Sequence, residues 1–482
     1  MLWLALHFRH LPLETFTRGV RGSGPLAIAS SSGSGAPLVA CDRKAHARGV
    51  RCGMAVAAAW ALASDLKIVM RDETAERAAL ERVAAWAFQF TPMVSIPGPA
   101  DVLLEVAGSL KLFGGLGRLR QRLEQGLAEL GYGAFVACAP TPLAAQLFAR
   151  AGLSVRIQHH DALHHELEKL PVSLLDHPSE TTAMLENFGV HSVGECLRLP
   201  RDGLARRAGQ RLLDDIDRAV GRLPDPRSPF VPPPGFSASL PLPAPVDQVE
   251  ALLFAARRLL AELCGWLAAT GNGVQSLRFT LAHEDHANTQ VVMKLVAASR
   301  DHQHLTDVLR ERLARIELPC AVTAITLAAE QLQPLASHNL SFLPDARHHA
   351  ESSARFVERL RARLGDEAVC GLTALPDHRP EHAWRVCEPG NDAALKELQA
   401  PPPSRPLWLL VSPQPLREVA AIPHYDGPLS LLIGPERIEA GWWDGHDVAR
   451  DYFVARNPVQ SVLWVYRERG ASGGWYLHGI FG

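Results

Sequence analysis

The residues with the clearest chemical potential lie in an apolar segment that carries two acids. Pro99-Ala100-Asp101-Val102-Leu103-Leu104-Glu105-Val106 has the pattern of a buried strand, and a glycine-containing segment, 108–115, follows it. Carboxylate oxygens hold Mg²⁺, and bound Mg²⁺ ions neutralise charge during phosphoryl transfer. A single Asp101 cannot hold two metal ions. The segment therefore predicts a buried strand that lacks most of the carboxylates which metal-assisted phosphoryl transfer requires.

A second candidate site is a helical segment, 185–197, with the two glycines of a helix-hairpin-helix turn. Around Gly189, Val190 and Gly194 the backbone can approach a phosphate, and N–H groups at a helix N-terminus bind anions. The arginines that follow are Arg198, Arg201, Arg206, Arg207, Arg211, Arg218, Arg222 and Arg227. They predict DNA-backbone binding without sequence readout, and the alternative is an αα-hairpin with a solvated, salt-bridged face.

Other patterns that could do chemistry are weak. His160 and His164 stand at i and i+4 within 159–165, a spacing able to share a metal ion, but no motif supplies a third ligand. Neither a phosphate-binding P-loop nor a nucleophile elbow is present, which argues against an ATPase or a serine hydrolase. We therefore predict no metal site and no cofactor.

Composition indicates a modular, folded protein. At 482 residues the chain predicts several domains, and 47% hydrophobic with 21% charged residues is typical of globular proteins. The net charge of −2 means that nucleic-acid binding would need a local basic face. Eight scattered cysteines without a C-x-x-C pair are typical of reduced thiols, and no run is long enough to cross a bilayer, so we expect a cytoplasmic, nucleoid-associated protein without membrane contact.

The positions of these candidates depend on a chain of mixed elements. Apolar strands alternate with helical segments up to about residue 150, and the pattern is all-helical from 170 to 221. Prolines between 224 and 234 predict a stiff tether. Residues 236–333 then have a βαββαβ-like order, and the chain is β-rich from 401.

Three segments resemble the Y-family DNA polymerases in order and spacing: 48–54, 99–115 and 133–144. Within that family the chain is similar to a catalytically degenerate, UmuC-like branch of the bacterial mutagenesis cassette, because active members lack a tail such as 434–453. The resemblance implies an α+β multidomain fold. Its expected parts are a palm and fingers-like region (1–165), a helical thumb with the helix-hairpin-helix (166–228), a βαββαβ little finger (235–333), a linker with a clamp motif and a helix (334–400) and a C-terminal β-rich recruitment domain (401–482).

The resemblance also shows where the nucleotide site departs from the family. Active members carry two aspartates at the end of the first strand, and this chain has no acid before Glu14. The family's remaining contacts are a metal-binding Asp-Glu pair, a Tyr-x-x-Arg triphosphate contact and an Asn-Lys pair. They fall on Ala100 and Asp101, on Arg43 and His46, and on Thr141 and Pro142. These losses predict a chain that is not an enzyme.

Two other interpretations stay open. If other acids, such as Glu105 or Asp42, serve as metal ligands, the chain would be a weakly active translesion DNA polymerase that uses Asp101. Alternatively, it binds DNA and has neither clamp nor polymerase partners.

The last expectations concern partners. Arg278, Lys294 and Arg300 are candidate phosphate contacts in the little finger, and Asn339, Leu340, Phe342 and Leu343 form a degenerate sliding-clamp motif. A loop that packs on its own domain is an equal alternative for that motif. The resemblance further implies binding to primer-template DNA, the sliding clamp, a RecA-like accessory protein of the ImuA type and an error-prone C-family DNA polymerase, within the DNA damage response and SOS mutagenesis.

Overall fold

The computed structural model describes residues 1–19, 24–335, 346–389, 405–470 and 473–482, without the side chains of 346–351. The helices are α1 (Leu11–Thr17), α2 (Arg43–Ala47), α3 (Val56–Leu62), α4 (Glu73–Ala87), α5 (Leu110–Phe113), α6 (Leu116–Leu130), α7 (Pro142–Arg150), α8 (His160–Leu167), α9 (Ser179–Asn187), α10 (Val193–Arg198), α11 (Arg201–Ala208), α12 (Gln210–Val220), α13 (Val249–Thr270), α14 (His302–Leu313) and α15 (Ala346–Leu364). The chain divides into two compact units, Met1–Arg363 and Leu364–Gly482.

The strands alternate with these helices and then dominate the C-terminal unit. They are β1 (Trp3–His7), β2 (Leu26–Ala29), β3 (Leu38–Cys41), β4 (Lys67–Met70), β5 (Val94–Gly98), β6 (Asp101–Glu105), β7 (Phe135–Ala139), β8 (Ser237–Val246), β9 (Asn272–His283), β10 (Thr289–Ser299), β11 (Val322–Pro334), β12 (Gly371–Ala374), β13 (Trp384–Cys387), β14 (Trp408–Val419), β15 (Ile422–His424), β16 (Ser430–Ala440), β17 (Val448–Arg456), β18 (Val462–Glu468) and β19 (Trp475–Ile480). The α+β multidomain prediction with a β-rich C-terminal part is confirmed.

A four-stranded sheet in the order β5-β6-β1-β7 carries the acids of the candidate site. β1 pairs antiparallel with both β6 and β7. Leu4 and Leu6 join one core with α4 and α6, whereas Trp3 and Ala5 join a second core with α7 and the thumb helices. Because both faces are covered, β1 is apolar along nearly its whole length.

Next to this palm-like sheet lies a smaller, fingers-like element. Its sheet has the order β3-β2-β4, in which β2 runs parallel to β4 and antiparallel to β3. Ala45 of α2 and Ala59 of α3 are fully buried against it. The element therefore has a core of its own.

The thumb is helical and the little-finger-like part has the expected element order. Helices α8 to α12 share one core with α7, and residues 224–234 contain no helix or strand. Beyond them β8-α13-β9-β10-α14-β11 forms a sheet in the order β10-β9-β11-β8. Leu277, Phe279 and Leu281 of β9 join the core with α13 and α14, so the helices cover one face of this sheet.

Helix α13 joins the little-finger-like part to the palm. The Trp86 ring of α4 lies against Gly126 of α6 and Gly265 of α13, where an added Cβ would stand 2.3 Å and 2.1 Å from ring atoms. Glycine at both positions is what lets the three helices close around the indole. The packing makes the palm and the little-finger-like part continuous within the first unit.

A buried charged cluster lies at the same junction. The Arg18 guanidinium donates to the Glu262 carboxylate, to the Tyr132 hydroxyl at 2.5 Å and to the Leu130 carbonyl oxygen at 2.8 Å. Arg82 also approaches Glu262, at 3.3 Å. Opposite charges and hydrogen bonds offset the cost of burying Arg18 and Glu262, whose side chains are only 2% and 1% exposed.

The second unit is a six-stranded antiparallel sheet in the order β15-β14-β19-β18-β17-β16, with a separate β12-β13 hairpin. Trp475 and Val465 lie in one of its cores, whereas Trp464 lies in the other. Most C-terminal aromatic side chains are therefore structural. Four tryptophans of this unit differ, because Trp384, Trp408, Trp442 and Trp443 are 51%, 70%, 79% and 57% exposed.

Candidate functional site

Asp101 lies at the start of β6, directly opposite His7 at the end of β1. The antiparallel register of these two strands sets the pair, and the Phe8 N–H closes the strand end by donating to the Ala100 carbonyl oxygen at 2.8 Å. The residue as a whole is 1% exposed. The one acid that the sequence leaves at the family's Asp-Glu position is therefore inside the protein.

Four hydrogen bonds surround the Asp101 carboxylate. Its Oδ1 is 2.8 Å from His7 Nδ1, and its Oδ2 accepts from Gln146 Nε2 at 2.9 Å. Arg150 donates to the same Oδ2 from Nε at 2.9 Å and from Nη2 at 2.7 Å. Gln146 and Arg150 stand at i and i+4 on α7, so one helix face supplies both donors.

The electrostatic balance keeps Asp101 ionised. Burial acts to raise the pKa of Asp101, but the hydrogen bond from His7 and the charge and hydrogen bonds of Arg150 outweigh it and hold that pKa below its ordinary value. The negative charge is thus matched by a fixed guanidinium. Mg²⁺ needs oxygen ligands that are free to coordinate, and both oxygens of this carboxylate already accept hydrogen bonds.

The other degenerate positions have structural roles or face solvent. Thr141 caps α7 by accepting from the Ala144 N–H, and its hydroxyl donates to the Ala219 carbonyl oxygen at 2.7 Å. Pro142 is the first residue of that helix, where its missing N–H costs nothing. Arg43 and His46 are exposed on α2, on the fingers-like element. The pair Thr141-Pro142 thus begins the helix that neutralises Asp101.

The alternative acids are committed elsewhere. Glu105 lies at the opposite end of β6, opposite Trp3, and its Oε1 accepts from the Leu2 N–H at 2.9 Å. Four residues of strand separate it from Asp101 by about 13 Å. Asp42 caps α2 by accepting from the Ala45 N–H at 2.7 Å. Glu105 is therefore too far from Asp101 to share one metal ion with it.

Three residues of this cluster were missed in the sequence: His7, Gln146 and Arg150. His7 is the last residue of the first strand, where active family members carry an aspartate. This departure from the family was the sequence signal that could have identified His7. The i, i+4 spacing of Gln146 and Arg150 was visible, but nothing local indicates which strand end they face. Within the described parts of the chain, no group of three or more His, Cys, Asp or Glu side chains is placed to hold a metal ion.

The thumb hairpin between α9 and α10 uses its own amides. Gly189 N–H donates to the Glu186 carbonyl oxygen and Val190 N–H to that of Leu185, both at 2.9 Å, and Gly194 N–H donates to the Glu168 carbonyl oxygen at 3.1 Å. Val190 is buried, and a Cβ at Gly194 would stand 2.9 Å from Glu168. Gly189 thus allows the turn, and Gly194 allows the chain to pass close to Glu168. This corrects the expectation that these amide N–H groups are free to bind a phosphate.

The Glu195 carboxylate accepts hydrogen bonds from two further backbone N–H groups of the hairpin. Its Oε2 accepts from His191 N–H at 2.6 Å and from Ser192 N–H at 3.0 Å, which completes a capping box with the Ser192 hydroxyl. These backbone hydrogen bonds hold the pKa of Glu195 below its ordinary value. The hairpin therefore presents an ionised carboxylate where a phosphate would have to bind.

Most arginines of the thumb are paired with aspartates. Five of them approach carboxylates within 4 Å: Arg201, Arg211, Arg218, Arg222 and Arg227. Arg198 and Arg206 are exposed and make no ion pair within the described part of the chain, and Arg207 stands over the Phe188 ring at 5.4 Å. The salt-bridged alternative therefore applies to most of this face.

The little-finger candidates lie on the sheet face opposite α13 and α14. Arg278 of β9 pairs with Glu330 of β11, and Lys294 of β10 is exposed without an ion pair among the described residues. Arg300 is half-buried just after β10. The clamp motif with Asn339, Leu340, Phe342 and Leu343 lies outside the described residues.

Comparisons with known proteins agree with this arrangement. The impB/mucB/samB family matches residues 21–150. Protein ImuB of Caulobacter vibrioides, from two strains, is 29% identical over 455 residues, which cover 89% of this chain and 99% of the relative. The chain is therefore similar to protein ImuB over most of its length and to the impB/mucB/samB family over residues 21–150. This confirms the predicted resemblance.

Similar solved structures include DinB and Dbh DNA polymerase. DinB from Sulfolobus solfataricus is 18% identical with a TM-score of 0.40, over 70% of this chain and 100% of that one. An insertion ternary complex of Dbh DNA polymerase is 17% identical with a TM-score of 0.41, over 68% and 98%. No helix among the described residues is long and apolar enough to cross a membrane.

Proposed function

We propose that this protein is a non-catalytic, Y-family polymerase-like scaffold for translesion synthesis and damage-induced mutagenesis. It binds primer-template DNA without reading its sequence, binds the sliding clamp, and recruits a RecA-like accessory protein of the ImuA type and an error-prone C-family polymerase. The observation that carries the non-catalytic part is the buried Asp101 carboxylate, which Arg150 neutralises.

Catalysis by this fold would need metal ions at the strand end. Phosphoryl transfer depends on metal ions that neutralise charge at the attacking and leaving oxygens. Here a guanidinium and an imidazole stand against the single remaining acid, and Ala100 offers no ligand beside it. A cation that approached Asp101 would have to displace Arg150, which would then be left with an unpaired charge.

DNA binding is supported by cations that have no ion-pair partner among the residues that the structure describes. Arg198 and Arg206 on the thumb and Lys294 on the open face of the little-finger-like sheet are exposed. Unpaired cations of this kind bind the phosphate backbone and are displaced by salt. The hairpin amides are donated within the thumb, so the DNA contact rests on side chains.

The partner proposals rest on the resemblance and on two segments of the chain. Asn339, Leu340, Phe342 and Leu343 combine a polar head with apolar anchors, which is the chemistry of a short clamp-binding peptide. Trp442 and Trp443 expose a pair of indoles in the second unit, and exposed aromatic side chains anchor protein interfaces. Cytoplasmic, nucleoid-associated placement follows from these partners.

Primer extension on an undamaged template tests the proposal. Purified protein is assayed with Mg²⁺ and with Mn²⁺, beside an active Y-family polymerase, and fluorescence anisotropy of the same primer-template reports binding. We expect binding without incorporation. Incorporation that persists after repurification, with the same metal dependence as the active polymerase, would establish the enzyme instead.

The outcome for partner binding is separate. Deletion of 339–343 and deletion of 401–482 are each expected to lower damage-induced mutation frequency in cells. If neither deletion changes it, the chain binds DNA without clamp or polymerase partners.

A further inference from the structure

An apolar groove lies in the thumb between α9 and α11. It has a volume of about 400 Å³, and its lining includes Met184, Phe188, Leu199 and Leu204. Phe188 is 59% and Leu199 37% exposed, although both are large apolar side chains. Exposed apolar side chains that line one concave surface mark a binding site more often than scattered ones do.

Arg207 is the charged residue of this groove. It stands over the Phe188 ring, with 5.4 Å between the guanidinium carbon and the ring centroid, and it makes no ion pair within the described part of the chain. Five other arginines of the thumb do have carboxylate partners. The groove thus combines an apolar floor with one cation that has no counter-charge.

A nucleic acid fits this surface poorly. The hairpin beside the groove donates its amides internally, and the Glu195 carboxylate occupies two of them. An ionised carboxylate repels the negatively charged phosphate backbone. The groove lining is apolar except at Arg207, whereas nucleic-acid sites present several cations along a track.

We propose that this groove binds a short segment of a partner protein, in which an apolar side chain fills the pocket and an adjacent Asp or Glu pairs with Arg207. A carboxylate accepts two hydrogen bonds from one guanidinium, and the apolar anchor excludes water from that pair. The charge of the groove is complementary to this chemistry and to neither a basic peptide nor an apolar one alone. This site is independent of the cations proposed to bind DNA.

The test begins with a random 12-residue peptide library displayed on phage. The library is selected on the full chain and counter-selected on Phe188→Ser, whose fold is checked by circular dichroism because the change lies at a 59% exposed position. We expect enriched peptides to share a large apolar residue next to Asp or Glu. No enrichment, or enrichment of basic peptides, would overturn the proposal.

The strongest enriched peptide is then labelled and its binding measured by fluorescence anisotropy. Arg207→Glu is expected to weaken binding at least tenfold, whereas Arg206→Glu, the same charge change one residue away and outside the groove lining, should weaken it less than threefold. A 20-nucleotide single strand or duplex that competes for the groove, with equal losses in both variants, would show a nucleic-acid surface instead. Peptide binding and primer-template binding are read separately, so failure of one leaves the other standing.

Discussion

The palm strand end and the open face of the little-finger-like sheet differ in how their charged side chains are paired. At the strand end, Asp101 accepts four hydrogen bonds from three side chains and is 1% exposed. On the open face, Lys294 points away from the helices and has no carboxylate partner among the described residues. A charge that is satisfied inside the fold stabilises it, and a charge that is left outside is available to a ligand.

The thumb contains the same contrast within one region. Its hairpin amides are donated to Glu168, Glu186 and Glu195, whereas Arg198 and Arg206 are exposed and unpaired in the part of the chain that the structure describes. A helix-hairpin-helix pattern therefore locates the turn without showing that its backbone is open. We expect polar groups that have hydrogen-bond or ion-pair partners inside the fold to be structural, and exposed polar groups without such partners to bind ligands.

The largest expected effect is on stability, from removing the Asp101 carboxylate. Asp101→Ala leaves the partly buried Arg150 and His7 without their acceptor, and breaking the ion pair of a buried carboxylate costs up to about 3–5 kcal/mol. Urea denaturation followed by tryptophan fluorescence measures the loss. Loss of function in Asp101→Ala would for this reason not by itself identify a catalytic acid.

Two further variants control the Asp101 experiment. Asp101→Leu combined with Arg150→Met removes both charges, and a well-packed apolar pair is expected to recover most of the stability. Asp285→Asn, at an exposed turn position, should be neutral within about 0.5 kcal/mol. A single Asp101→Ala variant as stable as Asp285→Asn would contradict the structural role.

The next effect concerns the junction that joins palm and little finger. Gly126→Ala places a methyl 2.3 Å from the Trp86 ring and is expected to cost about 1–3 kcal/mol through overpacking. Gly117→Ala lies on the same helix with open space around it and should be neutral or stabilising by up to about 1 kcal/mol. Equal melting temperatures for the two variants would mean that Trp86 does not pack in this way.

DNA binding should respond to the unpaired cations. Arg198→Glu combined with Arg206→Glu, and Lys294→Glu alone, are each expected to weaken primer-template binding. Each phosphate that the variant no longer neutralises should reduce the slope of log affinity against log salt by about 1. Arg77→Glu, an exposed position of α4 that pairs with Glu81, serves as the charge-matched control. If Arg77→Glu matches the other variants in affinity and slope, DNA binding is general electrostatic attraction rather than contact at these positions.

The smallest effect concerns Glu14, a carboxylate with a hydrogen bond at only one of its two oxygens. Glu14 Oε1 accepts from Gly133 N–H at 2.9 Å, but its Oε2 is buried without a hydrogen bond. Burial raises the pKa of Glu14 to about 7, against the hydrogen bond from Gly133 and the charge of Arg18. Asp101, with all its partners, has its pKa lowered instead.

The raised pKa of Glu14 predicts a pH dependence of stability. Between its ordinary value of 4.5 and about 7 the folded chain binds more protons at Glu14 than the unfolded chain does, so stability falls as pH rises through that window. Glu14→Gln should remove about 1–2.5 kcal/mol of this fall, as measured by urea denaturation at pH 5 and pH 8. An unchanged pH dependence in Glu14→Gln would assign the fall to other groups.

The sequence predicts the order of elements much better than the contacts of the site. The βαββαβ order follows from apolar periodicity. The exact start of α4 at Glu73 is set by the Asp72 side chain, which caps the helix. The partners of Asp101 lie 94, 45 and 49 residues away along the chain, and no local pattern encodes such pairs. The domain boundaries and the DNA and clamp contacts stay predictions.

The hairpin shows the same limit in a different way. Glycine spacing predicts the turn at Gly189, whose φ of +74° requires the left-handed region. The Gly194 N–H donates to the Glu168 carbonyl oxygen because α8 packs close to α10. The glycine spacing of the motif gives no information about that packing. Local signals therefore place a turn, and tertiary packing decides whether its amides face a ligand.

The central claim is that the Asp101 carboxylate is committed to Arg150 and holds no metal. Mn²⁺ binding followed by electron paramagnetic resonance, with an active Y-family polymerase as positive control, measures this directly. We predict no stoichiometric Mn²⁺ site at concentrations that saturate the control, in the presence or absence of primer-template DNA. A stoichiometric site that disappears in Asp101→Asn while the folded fraction stays unchanged would contradict the account.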